Sequence, residues 1–151
     1  MRRLIVLQHL EREGAGLFLP IFKERGFKIC IFRLDLGDSL PDLYQGDSLL
    51  VLGGPMGIRD LGSPNYPWLK KEVELITEAL KEKVGIIGVC LGAQLLSYAA
   101  GGNVETLKEK KSHQPLPEIG WHTISSLGYE KDNQLKILLS SPFPVLHWHG
   151  D

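Results

Sequence analysis

With 151 residues, 43% of them apolar and 23% charged, the chain has the size and composition of one globular domain, which excludes a disordered polymer and leaves no room for two ordinary domains. Seventeen basic against eighteen acidic side chains give a net charge of −1, too balanced to supply the field that holds a nucleic-acid backbone. No apolar run approaches the roughly 20 residues that span a bilayer, and the apolar stretch after Met1-Arg2-Arg3 is far too short for a signal peptide, so neither nucleic acid nor membrane is expected as a partner and a reducing, cytoplasmic setting is the expectation.

Leu4-Ile5-Val6-Leu7 is a short continuous apolar run, the pattern of a strand buried on both faces. Gly14 to Arg25 spaces Leu17, Ile21 and Phe22 and ends in Lys23-Glu24-Arg25 before Gly26, which predicts a helix with a cationic last turn and a glycine stop. Lys28 to Phe32 predicts a second buried strand. After a loop through Asp35, Gly37, Asp38 and Pro41, Ser48 to Leu52 predicts a third, which ends abruptly in Gly53-Gly54-Pro55-Met56-Gly57. From Trp68 to Lys83, Leu69, Val73, Ile76 and Leu80 recur at helical spacing, with Lys70, Lys71, Glu74, Glu78 and Lys81 outward. Val84 to Val89 predicts a fourth buried strand, and Cys90 begins a turn into a helix over Ala93 to Ala100, stopped by Gly101-Gly102. Strands alternating with helices predict a parallel sheet covered on both faces, a doubly wound α/β domain. Further along, Glu118 to Ile124 and Pro144 to Trp148 read as strands separated by polar turns at Gly128, Asp132 and Asn133. Lys108-Glu109-Lys110-Lys111 reads as a solvated charge run.

The chemistry is concentrated in Gly88-Val89-Cys90-Leu91-Gly92-Ala93-Gln94, directly after a strand and directly before a helix. Gly-x-nucleophile-x-Gly at such a junction is the pattern of a nucleophile elbow, in which the two glycines leave room where a Cβ would collide with neighbouring backbone. The turn lifts the nucleophile above the carboxyl edge of the sheet, where open α/β folds bind ligands. A helix N-terminus favours thiolate over thiol, which predicts an activated Cys90. An acyl-transfer nucleophile also needs donors aimed at the developing oxyanion. The backbone N–H of Leu91 is one, and a second is expected from the Gly53-Gly54-Pro55 bend, where Gly54 has no side chain to block a substrate. The two cysteines, Cys30 and Cys90, make no disulfide framework.

Gly53-Gly54-Pro55, the elbow, Glu118-Ile119-Gly120-Trp121 and His147-Trp148-His149-Gly150-Asp151 together resemble the class I, triad-type glutamine amidotransferase domain, in that family's order and over essentially the whole chain, with the likeness greatest to stand-alone GMP-synthase-like amidotransferases. The resemblance implies a flavodoxin-like doubly wound fold, glutamine as substrate and no cofactor. Cys90 would attack the glutamine side-chain amide to give a γ-glutamyl thioester and ammonia. Gly54 and Leu91 would form the oxyanion hole, and Gln94 and the backbone around Met56 would hold the amino-acid end of the substrate. Trp148, Gly150 and Asp151 occupy the family's second substrate-contacting loop. A separate synthetase or ammonia-accepting subunit is the implied partner.

The family's base is a histidine in a His-x-Glu motif well downstream of that loop, and none of His9, His113, His122, His147 and His149 occupies its position. Residues 1–151 are therefore expected to be one amidotransferase-like domain, incomplete at its C-terminus and without glutaminase turnover. Two alternatives stand beside this: a non-catalytic glutamine-binding or interaction module, and a hydrolase of another γ-glutamyl amide or peptide. His147, His149 and Asp151 alternate along a strand and share a face, as metal ligands would. The family loop explains them without metal, and no metal site is expected. His9 is expected to border the site, His113 to be exposed, and Trp68 and Trp121 to be packing residues.

Overall fold

The computed structural model describes residues 1–109, 112–125 and 141–150, in two compact units, Met1–Glu105 and Thr106–Asp151. In the first unit, β1 (Arg3–Gln8), β2 (Lys28–Arg33), β3 (Ser48–Val51) and β4 (Gly85–Gly88) form a parallel sheet in the order β2-β1-β3-β4. The register pairs Val6 with both Ile31 and Leu50, and Leu50 with Ile87. The helices α1 (Phe18–Glu24), α2 (Leu69–Lys81) and α3 (Leu91–Ala99) supply the crossovers.

Side chains alternate across a strand, so the two central strands face two cores. Ile5, Leu7, Leu49 and Val51 pack with Leu69, Ile76 and Ala79 of α2 and with Leu91 and Leu95 of α3. Leu4, Val6, Leu50 and Leu52 pack on the opposite face with Ala15, Phe18, Leu19 and Phe22 at and around α1. The fold is the doubly wound α/β sheet, helices on both faces, that the strand–helix alternation predicts. Each wholly buried Leu, Ile or Val among these stabilises the fold by about 1.5–3 kcal/mol relative to exposure.

Burial on both faces holds for β1 and β3 but not for β2 and β4. Each of these has one strand neighbour in the described unit, and Ile31, Ile87 and Val89 are exposed. The first helix is shorter than the sequence pattern suggests. Gly16 has φ +47, outside the helical region, and helix begins at Phe18 with Pro20 in its first turn, where a missing N–H costs nothing. In α2 the inward face is Leu69, Glu72, Ile76 and Ala79, with Leu80 at the surface. That stripe is turned slightly from the all-apolar one because Glu72 has a partner inside. Helix α3 ends at Ala99 and leads into Gly101 with φ +83, the left-handed stop the two glycines predict.

In the second unit, β5 (Glu118–Ile124) and β6 (Phe143–His149) pair antiparallel, with Glu118 opposite His149 and Trp121 opposite Leu146. One face carries Glu118, His122, His147 and His149; the other carries Ile119, Trp121, Leu146 and Trp148, all exposed. Trp121 is 72% exposed, against the expectation that it packs, whereas Trp68 joins the α2 core and meets Tyr66 edge to face. His113, Lys108 and Glu109 are exposed; Lys110, Lys111 and the turns at Gly128, Asp132 and Asn133 lie outside the described residues.

Candidate active site

Three adjacent strands end on one edge of the sheet, and each leads into a residue of chemical interest. β1 leads to His9, β3 to the Gly53-Gly54 bend and β4 to Cys90. The chain leaves β1 toward β2 on one side and toward β3, through a later crossover, on the other. This edge is thus the topological switch point where open α/β sheets form their ligand crevice. A cavity of about 530 Å³ lined by Tyr44, Asp47, Glu78 and Lys83 lies at the amino-terminal ends of β3 and β4, away from Cys90.

Cys90 occupies φ 52 and ψ −113, a conformation that costs a non-glycine residue roughly 1–3 kcal/mol and persists only when its surroundings impose it. The surroundings are backbone. A methyl group built on Gly88 would lie 2.5 Å from the Gly92 carbonyl oxygen, and one built on Gly92 would lie 2.1 Å from the Val51 carbonyl oxygen. That same Val51 carbonyl accepts the Val89 N–H at 2.9 Å, so the end of β3 holds the strand entering the turn and admits the helix leaving it. The turn is thus strained and walled by its two glycines, and its cysteine is exposed.

The two-glycine bend lies alongside. A methyl group on Gly53 would fall 3.5 Å from Cys90 Cβ, and one on Gly54 would fall 3.1 Å from both Leu91 Cδ2 and His9 Cβ. Gly54 is therefore wedged between the residue after the cysteine and the residue after β1. Met56 is buried, its sulfur against Gly54. Gln94 is half-buried one turn along α3, its backbone N–H bonded to the Cys90 carbonyl at 3.2 Å.

The Cys90 thiol is shifted upward, opposite to the direction its helix end predicts. Partial burial pushes the Cys90 thiol above its ordinary value, the Leu91 backbone N–H facing the sulfur pulls it back, and the Glu13 carboxylate adds a further push upward. Glu13 lies over the bend, its Oε2 2.6 Å from where a Gly53 methyl group would be. Desolvation in the walled turn outweighs the Leu91 N–H.

His9 does more than border the site. Its ring is wholly buried, with Nδ1 2.9 Å from the Gly53 carbonyl oxygen and Nε2 2.8 Å from Glu72 Oε1, itself wholly buried. Burial pulls the imidazole toward neutrality, but the Glu72 carboxylate and the Gly53 carbonyl outweigh it, and the pKa of His9 is raised. A His-x-Glu spacing does occur once in the chain, at His9-Leu10-Glu11, yet both His9 nitrogens are committed to Gly53 and Glu72. Glu72 was not singled out from the sequence. The available signal was an acidic residue three places after Leu69 on the apolar stripe of α2.

Trp148 and Gly150 belong to the second unit, where Trp148 stands opposite Ile119 and the Gly150 carbonyl accepts the Leu107 N–H at 2.9 Å. Asp151 lies outside the described residues. On the polar face of the hairpin, His147 Nδ1 and His149 Nε2 stand 2.8 and 3.2 Å from Glu118 Oε2, and the three side chains are close enough to hold a metal ion. Glu118 completes that trio, and His147 holds the Glu118 carboxyl below the ordinary carboxylate range. Among the described residues no helix is long and apolar enough to cross a membrane.

Residues 19–151 match the family model described as glutamine amidotransferase class-I. The chain is 32% identical over 152 residues to a glutamine amidotransferase-like protein of Salmonella typhimurium, covering 99% of this chain and 60% of that one. It is 40% identical over 113 residues to the carbamoyl phosphate synthase small chain of Thermotoga maritima, covering 74% of this chain and 23% of that one. Among solved structures, a Thermotoga maritima glutamine amidotransferase superposes with a TM-score of 0.77 at 29% identity, over 98% of this chain and 60% of that one. The chain thus spans about 60% of the length of these amidotransferase relatives.

Proposed function

The chain belongs to the class-I glutamine amidotransferase family, and from that premise we propose that Cys90 is the nucleophile of a glutamine amide-cleaving site. The observation that carries this reading is the strained backbone of Cys90, held between two glycines at the carboxyl edge of the sheet beside a second glycine bend. Sγ adds to the side-chain carbonyl carbon of glutamine, and the backbone N–H groups of Leu91 and Gly54 receive the oxyanion. The C–N bond then breaks, ammonia leaves carrying the proton given up by the thiol, and a γ-glutamyl thioester remains for water to convert to glutamate. Gln94 and the backbone around Met56 hold the amino-acid end of the substrate.

The proton balance sets what this polypeptide does alone. The 1–105 unit has a single histidine, His9, whose ring is already bonded at both nitrogens. Cys90 is also biased toward thiol. The expected behaviour of the 151-residue chain is therefore recognition of glutamine and covalent labelling of Cys90 by a glutamine-like electrophile, without glutaminase turnover. The raised thiol and the committed histidine equally favour the second reading, a glutamine-binding module that does not turn over. The reading sets this chemistry in a reducing, cytoplasmic compartment, with ammonia passing to a separate synthetase. One relative's designation as the small chain of carbamoyl phosphate synthase supports a partner of that kind.

The test is mass spectrometry of the chain after exposure to a chloroketone analogue of glutamine. A single adduct on Cys90, slowed by free glutamine and absent from Cys90→Ala, is expected. Labelling that ignores glutamine would refute the substrate, and rapid sustained glutamate release by the same chain would refute the account of the committed histidine.

A further inference from the structure

The chemistry above leaves one buried polar assembly in the 1–105 unit without a task. His9 and Glu72 are wholly buried, on elements 63 residues apart, and an imidazole and a carboxyl group are expensive to remove from water. Glu72 sits on the face of α2 where an apolar residue would pack, and its Oε2 has no hydrogen-bond partner. A pair of this kind earns its place only by what it holds.

What it holds is one peptide group. The Gly53 carbonyl can only accept, so His9 Nδ1 carries a proton and donates it at 2.9 Å. Nε2 and Glu72 Oε1, 2.8 Å apart, share a second proton and fix the ring from behind. The Gly53–Gly54 peptide is trans, as all are among the described residues, so its C=O and N–H point in opposite directions. Anchoring the Gly53 oxygen to His9 therefore aims the Gly54 N–H away from the imidazole. The anchoring matters because this peptide joins two glycines. Without side chains, a Gly-Gly peptide rotates at little cost, and a rotated peptide would turn its carbonyl oxygen, not its N–H, toward an oxyanion.

We propose that the His9–Glu72 pair is a positioning device that locks the Gly53–Gly54 peptide with its N–H presented to the oxyanion formed at Cys90. The inference rests on the reading of Gly54 as an oxyanion donor. It makes His9 a positioning residue, since the ring touches neither substrate nor sulfur in this role.

The test compares two reagents at Cys90. The glutamine chloroketone passes through an oxyanion: sulfur adds to the carbonyl carbon, moves to the methylene as chloride leaves, and the thiol proton goes to solvent. Iodoacetamide is attacked directly at its methylene, with iodide leaving and no oxyanion formed. His9→Gln places a donor near Nε2, toward Glu72, and loses the bond to Gly53; His9→Asn places one near Nδ1 and keeps it. The chloroketone rate is expected to fall about 10- to 100-fold in His9→Gln, less than the roughly 100- to 1000-fold of an oxyanion donor removed outright because the peptide is loosened and not deleted, and to recover to within about fivefold of the wild type in His9→Asn. Iodoacetamide rates should stay within about twofold throughout. If His9→Gln does not fold, Glu72→Gln, which keeps an acceptor for the ring, and Glu72→Met, which fills the space without one, pose the same question. The chloroketone-to-iodoacetamide ratio should hold in the first and fall in the second. Rates that fall together for both reagents, or a His9→Asn variant no better than His9→Gln, would overturn the positioning role. A wild-type chain whose labelling is insensitive to glutamine would instead overturn the reading of the site itself, and this inference with it.

Discussion

Replacing Gly92 by alanine examines whether the elbow is held by close backbone approach. The new Cβ would stand 2.1 Å from the Val51 carbonyl oxygen, 2.7 Å from its carbon and 2.9 Å from Val51 Cβ. Ordinary contact begins near 3.4 Å, so the overlap is about 1.3 Å. None of these atoms is the end of a flexible side chain. Val51 is locked in β3 by its pairing with Leu7 and Gly88, so α3 must withdraw and carry Leu91 and Leu95 out of the core. Overpacking of this kind costs about 1–3 kcal/mol, occasionally more; about 3 kcal/mol is expected here, or a fall in Tm of about 6–12 °C. The withdrawal also moves Cys90, and a misplacement near 1 Å is worth about 100-fold in rate, so chloroketone labelling of the folded fraction should drop by that order. Urea unfolding followed by far-ultraviolet circular dichroism gives the first number, and mass spectrometry of the labelled chain gives the second. Gly14→Ala, with nothing within 4 Å of its added methyl group, is the control and should alter neither. A Gly92→Ala chain with unchanged unfolding midpoint and labelling within about twofold of the wild type would refute the close-approach account.

Three other outcomes are expected. Iodoacetamide alkylation of Cys90 should rise with pH through a midpoint above that of an ordinary thiol, and Glu13→Gln should move that midpoint to lower pH by removing a nearby negative charge; an unmoved midpoint would refute the charge effect. Asp47 is held below the usual carboxylate range by its hydrogen bond from Arg3, against the opposing effect of burial, with help from the Tyr44 N–H. Its contribution is therefore present above the unfolded value of about 3.9 and lost as pH falls through the folded one, so the deficit of Asp47→Asn, about 1 kcal/mol at neutral pH, should vanish in acid. Leu50→Ala, on the α1 face of the sheet, should cost about 2–4 kcal/mol in urea yet leave labelling of the folded chain unchanged, because its core does not support α3.

The sequence was most informative where backbone chemistry dictates the outcome. Gly88 and Gly92 around Cys90 predict a strained turn because only a missing Cβ permits that approach, and the distances to Gly92 and Val51 show it. Leu4 to Leu7 and Leu49 to Val51 are apolar without alternation, which is what central parallel strands require. The same pattern in Lys28 to Phe32 and Val84 to Val89 could not reveal that those strands lie outermost among the described ones, since run composition says nothing of how many neighbours a strand has. Glu72 and His9 were illegible as a pair because their meeting depends on α2 lying across the end of β1, a contact 63 residues apart. The upward push on the Cys90 thiol was equally hidden. The helix end is visible in the sequence, but the desolvation and the Glu13 carboxylate that oppose it arise only on folding.

The ends of three neighbouring strands converge at the cysteine, and this ties its reactivity to the integrity of the whole sheet. Val51 is aligned with Gly88 across the β3–β4 ladder, and a slip of a single residue there would reverse which side chains face each layer. No partly assembled intermediate lacking that ladder can offer the glutamine reagent a formed crevice. On the proposed reading of the site, glutamine-protectable modification of one sulfur atom would serve as a gauge of how many molecules in a sample have zipped all of β1, β3 and β4 together.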